Sequence, residues 1–357
     1  MRPQTATGDT TPVTALDGPG EAAGIDVAAL RTHLDRVLPG FVRGDLQVSL
    51  LAGGHSNLTY EVRDGGSRWV LRRPPFGERD PAAHDVHREY QAMQALQGTG
   101  IPVPETIVYC ADTEVIGAPF FLMSFVDGVI YRTRADTAAL GPARARVMSL
   151  SLVDVLARLH ALDPVGVGLG DFGRPEGYLE RQVRRFTDVA ERTMQAYPEV
   201  DVLVANLRSA VPVSGSPAIV HGDFRLDNAV VGPDDGIAAV LDWEMATLGD
   251  PLADLGLLWC YWEGLPHNEA DTMRKGIDPG LGFPPIGDLV HRYSVRTSRD
   301  ISALPWYVAF GYFKLAVLRS AIHQRYLRGN TPSLEFATVG DLIVPLLAQA
   351  RLTLENR

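Results

Sequence analysis

Cysteine is nearly missing from these 357 residues, which carry only Cys110 and Cys260. One lies in each half of the chain, each in an apolar setting, so they read as buried free thiols. That excludes a disulfide-stapled scaffold and points to a reducing, cytoplasmic compartment. No apolar run reaches the 18 or so residues that a membrane helix requires, so no membrane partner is expected. Positive charge is scarce as well: 33 Lys and Arg against 43 Asp and Glu leave a net charge of −10. That balance argues against a nucleic-acid partner, which would want a basic stripe. The acidity is compatible with a cationic substrate without identifying one. The first 24 residues, rich in Thr, Pro, Gly and Ala, have no apolar leader segment and read as a mobile tail. What remains is ordinary globular chain, 46% hydrophobic and 21% charged, long enough for one large or two moderate cores.

The chemistry concentrates in His221-Gly222-Asp223-Phe224-Arg225-Leu226-Asp227-Asn228, followed by Val240-Leu241-Asp242-Trp243-Glu244. Between them, AVVGPDDGIAAV reads as two short apolar strands around a Pro-Asp-Asp-Gly turn, a hairpin. Folding it brings Asn228 opposite Asp242, and an amide oxygen with a carboxylate is a donor set for Mg²⁺. Asp223, five residues before Asn228, holds the base position of the kinase pattern His-Arg-Asp-x-x-x-x-Asn, where the Asp takes a hydroxyl proton and the Asn holds metal. Arg225 stands where that pattern carries a Lys that reaches the γ-phosphate. His221 and Asp254 read as groups that stabilise the loop. After Asp242 only WEMATLG precedes Asp250-Pro251, read as the Asp cap and first-position Pro of a helix. A protein kinase would place a long activation loop there, so the acceptor is expected to be a small molecule with a hydroxyl, with no obligate protein partner.

Upstream, LQVSLLA, LTYEVR and SRWVLRR read as three antiparallel strands joined by GGHSN and DGG turns. The first turn, with Gly53, Gly54, Ser56 and Asn57, sits where kinases cover the ATP phosphates with backbone N–H groups, though it lacks G-x-G-x-x-G. Alternation along the third strand puts Val70 and Arg72 on one face, Val70 toward the adenine and Arg72 at the phosphate-binding position usually held by Lys. Next, PAAHDVHREYQAMQALQGTG reads as a helix whose apolar stripe of Val86, Met93 and Leu96 includes Glu89. A carboxylate on a buried stripe needs a cation, and Arg72 is the expected partner. APFFLMSFVDG reads as a strand running into the hinge, with backbone groups near Ser124 and Val126 facing the adenine edge. Helices follow through MSLSLVDVLARLHALDP, at about 178–196 and 201–210, and, as apolar helices, over about 284–328 and 334–355.

The form HGDxxxxN, with Gly222 in place of the kinase Arg, resembles the aminoglycoside phosphotransferase and choline kinase-like family, and the resemblance runs from about Leu46 to Asn330. LRRPPFGERDPAAHDVHREY, DLVHRYSVRTSRD and YVAFGYFKLAVLRSAIHQRYLRGN are most similar to the phosphotransferase domains fused to some acyl-CoA dehydrogenases. His160, in LHALDP, also resembles a family signature, although a packed helix-end histidine is the plainer reading. The resemblance implies an α+β, bilobal protein-kinase-like fold with a small antiparallel β-sheet N-lobe and an α-rich C-lobe. It divides the chain into a tail at 1–24, a nucleotide-binding lobe at 25–123 and a catalytic lobe at 124–357. It further implies ATP and Mg²⁺ as cofactors. Two acceptor classes stay open. An aminoglycoside would want acidic residues such as Asp127, Glu263, Glu269 and Asp271, whereas a hydroxyacyl-CoA would want basic ones such as Arg292, Arg296, Arg299, Arg325 and Arg328. A nucleotide-binding pseudokinase, suggested by Arg72 replacing Lys, is the alternative of another class; retention of Asp223 argues against it.

Overall fold

The computed structural model describes residues 24–51, 57–76, 85–265, 273–274, 276–328 and 338–356. Apart from Gly24, the tail expected over 1–24 lies outside the described residues, as does the first part of the helix expected from Pro81. In chain order the elements are α1 (Val27–Val37), β1 (Gln47–Leu50), β2 (Leu58–Arg63), β3 (Arg68–Arg73), α2 (Val86–Leu96), β4 (Thr106–Cys110), α3 (Thr113–Ile116), β5 (Phe120–Ser124) and α4 (Arg134–Thr137). Then come α5 (Gly141–Ala161), α6 (Tyr178–Thr193), α7 (Glu199–Ser209), β6 (Ala218–Val220), β7 (Ala229–Val231), β8 (Ile237–Val240), β9 (Thr247–Gly249), α8 (Leu252–Glu263), α9 (Ile286–Thr297), α10 (Leu304–Leu327) and α11 (Ile343–Glu355).

These elements form two compact units, Met1–Ala139 with Ala229–Glu244, and Leu140–Asn228 with Met245–Arg357. The division differs from the break expected at 123/124. Val129 and Val231 exchange both backbone hydrogen bonds at 2.9 Å, and Val240 N–H donates to the Pro102 carbonyl at 2.8 Å. Those bonds join the β7–β8 hairpin to the first unit.

In the first unit, five antiparallel strands pair in the order β1-β2-β3-β5-β4. The β3 register, Leu71 opposite Tyr60 and Leu122, places the apolar side chains of alternate positions on one face. There Tyr60, Val62, Trp69, Leu71, Phe120 and Leu122 form a core with Leu30 and Leu34 of α1. The opposite face carries Val70 and Arg72, the latter level with Phe121, and α2 lies against it, with Tyr90 and Phe121 rings 6.0 Å apart. Asp85 caps α2 by accepting the His87 and Arg88 N–H groups at 3.0 and 3.1 Å. The sequence reading left out α1 and β4.

The second unit is helical around α10, whose residues from Leu304 to Val317 are buried almost without interruption. Two glycines let α8 and α10 approach closely: a Cβ on Gly256 would lie 2.7 Å from Tyr307 backbone, and one on Gly311 2.8 Å from Cys260 Sγ. α8 begins one residue later than the Asp-Pro pair suggests, with Pro251 rather than Asp250 at its cap position. The displaced Asp250 still accepts the Leu252 N–H at 3.0 Å, while its other oxygen takes the Tyr307 hydroxyl at 2.8 Å. Among the described residues, no helix is long and apolar enough to cross a membrane.

Candidate active site

In the first unit the two arginines at the end of β3 separate as alternation requires. Arg73 is buried on the core side and donates to the carbonyls of Gly24 at 2.9 Å and Ile116 at 2.8 Å. Arg72 points the other way, its Nε 3.0 Å from Glu89 Oε2 and a terminal nitrogen 3.0 Å from Asp242 Oδ1. One guanidinium thus joins the middle of α2 to the segment after β8, and the planar fork makes both contacts where an ammonium would be a point charge. Asp242 holds its position with φ +67°, a backbone region that costs a non-glycine residue energy and that concentrates at functional sites.

Burial opposes the charge on Arg72, but Glu89, Asp242 and Glu244 outweigh it and hold the guanidinium above its usual value. Burial pushes the Glu89 carboxyl up to about 8; Arg72 opposes that rise, while Asp242 and Glu244 add to it. The two shifts pull apart, one favouring a charged pair and the other a proton on Glu89. The upward direction prevails at Glu89, because its carboxyl is dry and shares one guanidinium with two further carboxylates. With a proton on Glu89, the carboxylates of Asp242 and Glu244 still outnumber the one fixed cation, which suits a divalent ion at Asp242. Asn57 donates to Glu244 at 3.3 Å, and its buried Oδ1 has no hydrogen-bond partner among the described residues.

For Arg72→Met the expected result is a loss of about 2 kcal/mol at neutral pH, since removing one partner of a buried pair strands the other. Glu89 supplies the pH sign. Its folded pKa lies above the unfolded one, so its contribution is present at low pH and is lost as pH rises from about 4.5 to about 8. Urea midpoints should therefore separate variant and parent by about the same amount at pH 5 and pH 7 and by more above about pH 8, where only the parent can ionise Glu89 beside its cation; a gap that already widens between pH 5 and pH 7 would show that Glu89 is charged in the parent.

The segment read as the hinge follows β5. Ser124 N–H already donates to the Glu105 carbonyl at 2.8 Å, and its hydroxyl accepts the Glu105 N–H at 2.9 Å. Val126 makes no backbone–backbone hydrogen bond among the described residues. Gly53, Gly54 and Ser56 lie outside the described residues.

The β7–β8 hairpin forms, but its register is not the one expected. The ladder closes at Ala229 opposite Val240, with an irregularity between Val230 and Val231. Asn228 and Asp242 therefore lie one and two residues beyond the last pair and are not cross-strand partners.

In the second unit β6 delivers the loop. Gly222 has φ +86°, and a Cβ there would fall 2.7 Å from the Met245 carbonyl oxygen, so only glycine fits between His221 and Asp223. The loop is held from α8: Asp254, 1% exposed, accepts the N–H groups of His221 at 2.7 Å and Gly222 at 2.8 Å. His160 is the packed histidine of α5, 3.2 Å from Asp254 and 2.8 Å from the Tyr293 hydroxyl. Lys314 donates to the Gly222 carbonyl at 3.0 Å.

Asp223 leaves this grip with both oxygens occupied. Asn228 Nδ2 donates to Oδ2 at 3.0 Å and to the Asp223 carbonyl at 2.9 Å, which leaves the Asn228 amide oxygen for a hard cation. Arg225 Nε stands 3.1 Å from Oδ2 and 3.3 Å from Asp227, and the Tyr261 hydroxyl donates to Oδ1 at 3.0 Å. Sequence reasoning missed Tyr261, Lys314 and Glu244. Two signals were present: Tyr261 is seven residues, two helical turns, beyond Asp254 on the same face of α8, and Lys314 is a lone cation in an apolar run, which needs a partner. The late arginines are largely committed elsewhere. Arg292 clamps Asp154 at 2.6 and 2.7 Å with Arg296 beside it at 3.0 Å, and Arg299 donates to the Ser216 and His160 carbonyls.

Residues 47–285 match the phosphotransferase enzyme family. A solved structure from Ralstonia eutropha assigned to the aminoglycoside phosphotransferases is 31% identical and superposes with a TM-score of 0.81 over 93% of this chain and 99% of that one. Acyl-CoA dehydrogenase family member 11 of Rattus norvegicus is 35% identical over 93% of this chain and 43% of its own length. A thermostable mutant of aminoglycoside phosphotransferase APH(4)-Ia, solved with AMP-PNP and hygromycin B, shares the fold at 14% identity and a TM-score of 0.58 over 92% of this chain and 98% of that one. The chain belongs to the phosphotransferase enzyme family and has its α+β, protein-kinase-like fold. It spans less than half the length of the acyl-CoA dehydrogenase relatives it matches.

Proposed function

We propose that the protein transfers the γ-phosphoryl group of ATP to a hydroxyl of a small molecule in a Mg²⁺-dependent reaction. The observation that carries this reading is Arg72, which contacts both Glu89 and Asp242 at 3.0 Å and so supplies the cation–carboxylate pairing that active kinases require. The same contacts weigh against the pseudokinase alternative, because the replacement of Lys by Arg keeps Glu89 and Asp242 engaged. Asp223 orients the acceptor hydroxyl and takes its proton, and Arg225 meets the transferred phosphoryl group. Asn228 and Asp242 offer the hard oxygen ligands for Mg²⁺, which, when bound, neutralises charge on the phosphate oxygens. Val70 and the backbone groups of Val126 receive the adenine. Two buried free thiols suit the reducing, cytoplasmic setting read from the sequence.

For the acceptor, an aminoglycoside is the reading the family name suggests. The acidic residues in its favour are thinly represented: Asp127 is engaged by Arg68 at 3.1 Å, and Glu269 and Asp271 lie outside the described residues. The second reading is a hydroxyacyl-CoA or related anionic metabolite, for which Lys314 is a nearby cation, since its ammonium donates to the carbonyl of Gly222 in the loop that carries Asp223. Incubation with Mg·ATP and panels of aminoglycosides and hydroxyacyl-CoAs, read by product mass, tests the proposal. A phosphorylated product from one panel selects its class; ATP binding with no product from any hydroxylated acceptor would sink the transferase reading.

The metal assignment has its own test. Asp242→Ala is expected to weaken Mg·ATP binding about tenfold or more by removing a carboxylate ligand, while metal-free ATP binding changes little. Calorimetry with and without Mg²⁺ measures both, and unchanged affinity for Mg·ATP would remove Asp242 from the metal site.

A further inference from the structure

One oxygen of Asp223 already carries a hydroxyl. Oδ2 faces two donors, Asn228 Nδ2 at 3.0 Å and Arg225 Nε at 3.1 Å, so an incoming O–H group has Oδ1 as its open side. There the Tyr261 hydroxyl donates at 3.0 Å. This is the bond an acceptor hydroxyl must make before giving up its proton, an O–H donor within about 2.6–3.2 Å of the base.

Tyr261 is fixed in that place from two directions. Its ring lies under the Arg225 guanidinium, 4.8 Å from the ring centroid. Its helix, α8, also carries Asp254, which grips the loop backbone just before Asp223. Burial, then the charge of Asp223, pushes the Tyr261 hydroxyl well above its usual value, so it remains a donor and cannot act as the base.

We infer that Tyr261 stands in for the acceptor hydroxyl on Asp223 when no acceptor is bound, keeps water off that carboxylate, and yields Oδ1 as the acceptor arrives. The inference rests on Asp223 being the base, as proposed above. Its chemical consequence is the suppression of wasteful hydrolysis of the nucleoside triphosphate. In that side reaction a water oxygen bonds the γ-phosphorus, the bond from phosphorus to the β,γ-bridging oxygen breaks to release the diphosphate, and the water proton passes to Asp223. Tyr261 is thus a positioning residue that discriminates between water and a true acceptor.

Tyr261→Phe tests this directly, since it removes the hydroxyl and keeps the ring under Arg225. Release of ADP from Mg·ATP is followed with no acceptor present, in the parent, Tyr261→Phe and the double variant Tyr261→Phe/Asp223→Asn. The expected result is a rise of about tenfold or more in Tyr261→Phe, the scale of one lost hydrogen bond to a charged group, and a return to the parental rate in the double variant. A tyrosine that only braced the loop would give a fall or no change on removal, and either outcome overturns the inference. A rise that survives in the double variant overturns it too, and shows that water is not activated through Asp223. Calorimetric affinity for Mg·ATP on the same proteins separates the two levels: no affinity in the parent sinks the kinase reading, whereas parental affinity with no rise in ADP release sinks only the role of Tyr261.

Discussion

Asp223→Asn is expected to lower the turnover of phosphoryl transfer by about two to four orders of magnitude, the usual contribution of a positioned general base, with Mg·ATP affinity held within about twofold. The substitution is isosteric, and the surroundings can absorb it. An amide oxygen turned toward Asn228 keeps the 3.0 Å bond that now reaches Oδ2, and an amide NH₂ turned toward Tyr261 finds a hydroxyl that can accept as well as donate. Arg225 keeps Asp227, 3.3 Å away. What the amide cannot do is take a proton, so the loss should fall on turnover and not on binding. Steady-state transfer rates and calorimetry on the same variant check both halves. Turnover within about tenfold of the parent would remove Asp223 from the chemistry.

The parts of this arrangement that could be read from the chain are those set by short-range geometry. Alternation along β3 placed Arg72 away from Arg73, and helical spacing put Glu89 on the inner stripe of α2; their contact at 3.0 Å then follows from the cost of burying an unpaired carboxylate. The loop from His221 to Asn228 was legible because its key contact spans five residues. Contacts made across long separations were hidden. Nothing local says that Asp242, 170 residues away, takes the second arm of Arg72. The hairpin was legible, but its register, Ala229 opposite Val240 with an irregularity at Val230/Val231, is one that no composition rule locates. Likewise, Arg292, Arg296 and Arg299 are basic residues on late elements whose partners, Asp154 and the carbonyls of His160 and Ser216, are assigned only by tertiary packing.

Asp254→Ala is expected to cost about 4 kcal/mol of stability, which is large against the total of a typical domain. The carboxylate accepts two backbone N–H groups, from His221 at 2.7 Å and Gly222 at 2.8 Å, and stands 3.2 Å from His160 Nε2. Alanine leaves both N–H groups buried without a partner, each costing about 1–3 kcal/mol, and strips His160 of its anion. Gly222 has φ +86°, so once the clamp is gone the loop has little reason to keep its shape. Activity should therefore fall together with the urea midpoint, unlike in Asp223→Asn, where stability is preserved. The pH dependence gives a second signature. Burial alone would raise the Asp254 pKa, but the hydrogen bond and charge of His160, the charge of His221 and the Gly222 N–H outweigh it and hold the group below its ordinary value. A depressed folded pKa means that the contribution is complete above the unfolded value, near 3.8, and fades as pH falls through the folded one. The gap between parent and variant should stay constant across neutral pH and narrow only in strong acid. A gap already closing between pH 7 and pH 5 would mean that Asp254 is not the charged anchor of the clamp.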